Sequence, residues 1–250
     1  MRAQVDRSWN FTGAVDRESS LKPICERVER HFSFPARRLC RYFASSDDQY
    51  LVSWHGKHFR GFHAPIAART ALPPYLLNCF FHPFPDLSGD ETFEETIAFD
   101  NLIYIRHSTC ADITSLVTTY AHEFQHFVQH ANTPRVWAAN GVLYENLRTF
   151  ETSAIATDIP TEREANIVSK RVAELVCGIE AVRAFADEQV RLMENSGEHE
   201  QKGRWVFFRD VPSSTKFDLL AATLPLVEKY KGLMKFDVDV NQPRWWLESA

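Results

Sequence analysis

Apolar residues between positions 112 and 131 recur at spacings of three and four, which predicts one amphipathic helix over this stretch. The apolar stripe consists of Ile113, Leu116, Val117, Tyr120, Ala121, Phe124, Phe127 and Val128. The opposite side of the helix is polar and contains Ser115, Thr119, His122, His126 and Gln129. Asp112 stands where a residue caps the start of such a helix, and Pro134 follows its end. The pattern therefore predicts a long helix whose two histidines point away from its apolar face.

Further helices are predicted at 134–150, 161–193 and 215–230, and Gly178 is expected to break the second of them. The buried face of that second helix is expected to consist of Val168, Val172, Leu175, Ile179 and Val182. Strands are predicted at 96–99 and 102–106, which are rich in β-branched and aromatic residues, and the apolar run 205–208 suggests another.

These elements predict an α+β protein in which residues 1–250 form a single zincin-like domain. A mixed lobe with a small sheet is expected over 1–108 and a mainly helical lobe over 109–250. The helix at 112–131 is expected to carry the active site between them.

Residues 122–126 read His-Glu-Phe-Gln-His, which sets two imidazoles one helical turn apart. On a helix the two rings lie about 6 Å apart along the axis and about 40° apart around it, so both reach one metal ion. Glu123 points about 100° away from His122, which is where a general base for a water molecule should stand. The motif favours a hydrolytic zinc site. The alternative is a chance pattern of ordinary histidines.

A third zinc ligand must lie within reach of these two histidines. His130 lies about 12 Å from His122 along the helix axis, which is too far for a shared ion, and Cys110 is disfavoured for the same reason. Downstream, Thr157 or Asp158 is expected to cap a helix that Pro160 starts.

Glu162 lies in the first turn of that downstream helix, with Asn166 one turn later on the same side. Glu164 is displaced from Glu162 by about 200°, so the two carboxylates do not share a face, and Glu162 is preferred over Glu164 as the third ligand. A further reading keeps both as solvated acids favoured by the helix dipole.

The H-E-x-x-H motif, followed 36 residues after His126 by E-x-x-A-N, resembles the gluzincin zinc metallopeptidases. The Ala165-Asn166 ending resembles most the ImmA/IrrE-type branch, and the resemblance covers roughly residues 95 to 175. It implies that His122, His126 and Glu162 are zinc ligands, that Glu123 is the general base, and that Asn166 hydrogen-bonds a ligating histidine. It also implies that a strand before the motif helix, at 102–106, is an edge that pairs with an extended substrate. A strand in the interior of the sheet is the alternative for that segment.

The expected reaction is hydrolysis of peptide bonds in a specific protein substrate. Such enzymes also need a group that stabilises the oxyanion, and the candidates are Tyr144, His199 and Arg204, which the sequence does not rank. Two other classes stay open. One is a catalytically inactive zincin-like interaction protein, and the other is a zinc hydrolase that acts on a non-peptide amide.

Net charge, the N-terminal sequence and the cysteines limit which partners and which cellular compartment are expected for this protein. The 250 residues carry a net charge of −5 with interspersed signs, so neither nucleic acid nor an anionic membrane is expected as a partner. The N-terminus lacks the apolar stretch of a secretory signal, and the five cysteines contain no C-x-x-C pair. These features predict a cytoplasmic enzyme with reduced thiols and a protein or peptide substrate. The oligomeric state stays open.

Overall fold

The computed structural model describes residues 8–12, 16–46, 51, 59–66, 72, 74–80, 99–150, 158–196 and 199–230. Within these ranges the protein is mixed α/β, with a small sheet in the N-terminal part and helices in the C-terminal part. The α+β class expected from the sequence is therefore confirmed. The chain divides into two compact units, Met1–Phe124 and Gln125–Ala250, and the division falls within the motif helix.

The described part of the first unit contains a four-stranded sheet in the order β1-β2-β4-β3. Its strands are β1 (Trp9–Phe11), β2 (Leu39–Phe43), β3 (Gly61–Pro65) and β4 (Asn101–Ile105). The first three in this order are mutually parallel, and β3 runs antiparallel to β4. Every residue of β4 is buried, as expected for an apolar strand with neighbours on both sides.

The position of β4 corrects one expectation. This strand lies between β2 and β3, so residues 102–106 do not form an edge to which a substrate adds. The alternative of a strand in the interior of the sheet is confirmed. The strand predicted at 96–99 lies outside the described residues apart from Phe99, which is not in a strand.

The helices of the first unit are α1 (Asp16–Glu29), the short α2 (Pro74–Leu77) and the first part of α3 (Ile113–Asn132), with 3₁₀ turns at Asn78–Phe80 and Ser108–Ala111. The predicted helix at 112–131 is thus confirmed. Its start contacts the sheet, because the Arg60 guanidinium donates a 2.6 Å hydrogen bond to the Ser115 hydroxyl. The Tyr120 ring stacks on Phe43 of β2, with ring centroids 6.1 Å apart.

The second unit contains the rest of α3 and five further helices in its described part. They are α4 (Pro134–Phe150), α5 (Pro160–Cys177), α6 (Ile179–Ser196), α7 (His199–Asp210) and α8 (Leu219–Tyr230). Gly178 separates α5 from α6 as predicted, and its φ of 91° is one that glycine adopts without a steric penalty.

Two local predictions in this unit are wrong. Residues 205–208 are helical within α7, where Trp205 packs edge-on against Phe185 of α6. A four-residue apolar run does not distinguish a strand from a buried helical turn. Leu175 and Ile179 are each 58% exposed instead of buried. The predicted face ran through Gly178, but one helix ends at Cys177 and the next begins at Ile179, so a single helical phase does not extend across it.

Candidate metal centre

The H-E-x-x-H motif lies within helix α3, whose first turn is capped. The Asp112 carboxylate accepts a 2.6 Å hydrogen bond from the Ser115 backbone N–H, so Asp112 caps the helix as the sequence predicted. From Ser115 to Phe127 every residue of α3 is buried, including both histidines, of which His122 is 4% and His126 9% exposed. The polar side of this helix is therefore enclosed, and its side chains need polar partners inside the protein.

Buried polar groups also hold the first part of α3 against the sheet. The Arg41 guanidinium, 3% exposed, donates to the Glu29 carboxylate at 2.7 Å and to the Tyr120 hydroxyl at 2.8 Å. The Tyr120 hydroxyl in turn donates to Glu29. Burial raises the pKa of Tyr120, so this hydroxyl is neutral at physiological pH and acts as a hydrogen-bond donor.

Helix α5 supplies the third member of the group. Pro160 occupies its first turn, and Ile159 is its N-cap residue without a side-chain cap bond, so the predicted cap by Asp158 is wrong, and the alternative, Thr157, lies outside the described residues. The proline compensates because its fixed φ suits a helix start and it has no N–H to satisfy. Glu162 consequently lies in the first turn of α5, with its side chain 22% exposed.

His122, His126 and Glu162 come together as a group whose ligand atoms all lie within 4.8 Å of one another. Within this group, His126 Nε2 lies 3.1 Å from Glu162 Oε1. Two ligands of a tetrahedral zinc ion with bonds near 2.05 Å are about 3.3 Å apart, so this spacing suits a shared ion. Two imidazole nitrogens and one carboxylate oxygen are also a donor set typical of hydrolytic zinc sites. The residues present therefore fit zinc.

Glu164 is turned toward different partners. Its Oε2 accepts hydrogen bonds from Gln125 Nε2 at 3.1 Å and from Gln129 Nε2 at 2.8 Å, both on α3. The structure thus brings Glu162 to the two histidines, whereas Glu164 binds the glutamines beside them. This arrangement follows the divergence of the two side chains expected from helix geometry.

The other side of the His126 ring contacts a residue that the motif did not indicate. His126 Nδ1 lies 2.8 Å from Gln129 Oε1, and Gln129 is only 2% exposed. A signal was present in the sequence, since Gln129 follows His126 by three residues and the pattern placed both on the same side of the helix. Amides at such positions hydrogen-bond neighbouring side chains.

Glu123 and Asn166 are close in sequence to members of the metal-binding group. Both are buried, at 6% and 3% exposure. Glu123 follows His122 directly on α3, and Asn166 lies one turn after Glu162 on α5. The Asn166 Nδ2 has no hydrogen-bond partner among the described residues. Gln129 hydrogen-bonds one histidine of the group, His126, and the expected bond from Asn166 to a ligating histidine stays a prediction.

The three candidates for the oxyanion role lie on helices α4 and α7, and His130 lies on α3. Tyr144 packs on the apolar cluster of α4 with Leu143 and Ile159, and Arg204 is half-buried on α7. His199 begins α7, and its side chain lies outside the described residues. An oxyanion role for any of the three stays a prediction. His130 lies edge-on to Trp137, with ring centroids 5.1 Å apart, and is not part of the metal-binding group.

No family model matches this chain, and neither a curated protein nor a solved structure shows similarity to it. Across the described ranges, none of the helices has the length and apolar character needed to cross a bilayer.

Proposed function

We propose that this protein is a zinc-dependent metallopeptidase with a gluzincin-like site that hydrolyses a peptide bond in a specific protein substrate. The observation that carries the proposal is the group formed by the buried His122 and His126 with the partly buried Glu162, whose ligand atoms lie within 4.8 Å of one another. The two sequence motifs that resemble gluzincins are the segments that contribute this group. Membership of the ImmA/IrrE-type branch is a narrower proposal that rests on Ala165 and Asn166 alone.

In this proposal, His122 and His126 bind zinc through neutral imidazole nitrogens, and Glu162 binds it through a carboxylate oxygen. Zinc bound there would act as a Lewis acid that polarises the scissile carbonyl and makes a water proton easier to remove. Burial of the two histidines and partial burial of Glu162 strengthen their electrostatic attraction for the cation, because little water competes with it.

Glu123 is the proposed general base. It removes a proton from the attacking water as the new bond between oxygen and carbonyl carbon forms, and it delivers that proton to the amine nitrogen as the C–N bond breaks. At 6% exposure the carboxylate is shielded from solvent, so the proton is retained within the site between the two steps. We further propose that the enzyme acts in the cytoplasm, where its five free cysteines would stay reduced.

The first experiment is metal analysis of protein purified without added metal. We expect about one zinc per chain, and its loss in His122→Ala and in His126→Ala. His130→Ala is the matched control, because His130 is on the same helix but outside the metal-binding group. Full zinc content in either His122→Ala or His126→Ala would contradict the proposed site.

The second experiment tests the chemistry with Glu123→Gln, which keeps the size of the side chain but removes the base. This variant should retain zinc and lose hydrolysis by several orders of magnitude. Wild type and variant are compared by terminal-labelling proteomics on a cell lysate, since a cytoplasmic peptidase should cleave few proteins. New termini that appear only with the wild type support the proposal.

Two other outcomes would redirect the proposal. A zinc-loaded wild type that yields no new protein termini but hydrolyses small amides would indicate a non-peptide substrate. A chain without stoichiometric zinc would indicate an inactive interaction protein.

A further inference from the structure

The partners of Gln129 constrain the orientation of its amide group. Gln129 Nε2 lies 3.0 Å from the backbone carbonyl oxygen of Thr161 and 2.8 Å from Glu164 Oε2. A carbonyl oxygen only accepts hydrogen bonds, and so does an ionised carboxylate. The atom that faces them must therefore be the NH₂ group, and the amide oxygen must face the other way.

The amide oxygen of Gln129 faces His126 Nδ1 at 2.8 Å. Because this oxygen only accepts, the ring nitrogen opposite it must carry the proton. The Nδ1–H tautomer leaves the lone pair of a neutral imidazole on Nε2, and Nε2 is the atom 3.1 Å from Glu162 Oε1 in the metal-binding group. Two acceptors on α5, the Thr161 carbonyl oxygen and Glu164 Oε2, thus determine which nitrogen of His126 on α3 is available to bind a cation.

Glu164 also holds this arrangement in place. Its Oε2 receives hydrogen bonds from both Gln125 and Gln129, which are one turn apart on α3. These bonds join α3 to α5 two residues after Glu162, which lies in the first turn of α5. The Gln129 amide makes three hydrogen bonds at 2% exposure, so rotation of its side chain would leave several buried groups unpaired.

We propose that Gln129 and Glu164 form a positioning relay that fixes the tautomer and ring orientation of His126 for metal binding. This inference rests on the proposed zinc site, and it assigns Glu164 a role other than that of a ligand. Groups that hydrogen-bond the far nitrogen of a ligating histidine commonly contribute 10- to 100-fold to metal affinity.

The test is a set of competition titrations with zinc ion and a chromophoric chelator on the full chain. Gln129→Met removes the acceptor for His126 Nδ1–H at similar side-chain length, and we expect zinc affinity to fall about 10- to 100-fold. Gln129→Glu alone brings two carboxylates to the distance of the present 2.8 Å contact, so this variant should also bind zinc more weakly.

The exchanged pair Gln129→Glu with Glu164→Gln supplies the decisive variant. A carboxylate at position 129 accepts from His126 Nδ1–H, and the amide at position 164 donates to that carboxylate, so the bonds to His126 and between the two side chains are restored, whereas the Thr161 carbonyl oxygen loses its donor. Zinc affinity of the double variant should be at least about tenfold higher than that of Gln129→Glu alone, and it should stay below the wild type because the Thr161 carbonyl oxygen has lost its hydrogen-bond donor. Circular dichroism confirms that each variant is folded.

Cobalt substitution gives a second readout of ligand geometry. The visible absorption bands of the Co²⁺-loaded protein should shift in Gln129→Met and move back toward the wild-type positions in the exchanged pair. Wild-type zinc affinity and spectrum in Gln129→Met, or no recovery in the exchanged pair, would overturn the relay while leaving the zinc site intact. Absence of zinc binding by the wild type would overturn both the proposed function and the relay.

Discussion

Gly61 lies at a point where β3, β4 and the motif helix approach one another too closely for a side chain. A Cβ atom built on Gly61 would lie 2.6 Å from the Tyr104 carbonyl oxygen and 3.2 Å from both Ile105 Cδ1 and Thr119 Cγ2. Tyr104 belongs to β4, which is hydrogen-bonded on both sides, so its carbonyl has little freedom to move. The change Gly61→Ala should therefore destabilise the first unit.

The size of the effect follows from two opposing terms. Overpacking costs about 1–3 kcal/mol, and a 2.6 Å contact with a backbone atom belongs near the upper end of that range. Replacing glycine by alanine also reduces the entropy of the unfolded chain, which offsets about 0.4–1 kcal/mol. The net loss in the free energy of unfolding is about 2 kcal/mol, or about 0.7 M in the urea midpoint at an m-value of about 3 kcal/mol/M.

Gly141→Ala is the matched control for this measurement. Gly141 lies within α4 with nothing within 4 Å of its added Cβ, so the same chemical change should stabilise the protein by about 0.5–1 kcal/mol. Both variants are compared with the wild type by urea unfolding followed by circular dichroism. A Gly61→Ala protein as stable as the wild type would refute the close approach of strand and helix.

Two further predictions concern the first unit. The Cys40 thiol donates a hydrogen bond that lowers the pKa of Cys79, so at pH 7 Cys79 should be more ionised, and alkylate faster, than an ordinary thiol. Cys40→Ala should slow that alkylation when it is followed by peptide mass spectrometry, and an unchanged rate would contradict the thiol–thiol contact. Arg41→Met should lower the free energy of unfolding by about 3–5 kcal/mol because it leaves the Glu29 carboxylate without its cation. Arg38→Met, which removes an exposed ion pair, should cost at most about 1 kcal/mol, and equal losses would refute the argument from burial.

The period of the apolar residues was sufficient to predict α3. A repeat near 3.6 persists over the twenty residues of α3, and over such a length local geometry leaves few alternatives to a helix. The spacing of His122 and His126 then places both on neighbouring parts of one helix surface. The same geometry separated Glu162 from Glu164, since two residues along a helix point in nearly opposite directions.

Tertiary structure decided the features that depend on distant partners. The segment 102–106 was correctly predicted as a strand, but its position between β2 and β3 depends on pairing with residues about 40 to 60 positions earlier in the chain. Leu175 and Ile179 follow the apolar pattern and are nevertheless exposed, because burial depends on which neighbour packs against each face.

The candidate site also has some features that the sequence determined and others that only the tertiary structure decided. The sequence determined which side chains α3 and α5 each present, because local backbone geometry fixes their directions. Only the packed structure placed Glu162 Oε1 3.1 Å from His126 Nε2 and Gln129 between His126, Thr161 and Glu164. Hydrogen bonds between helices more than thirty residues apart in sequence depend on how the helices pack, and a local pattern carries no information about that distance.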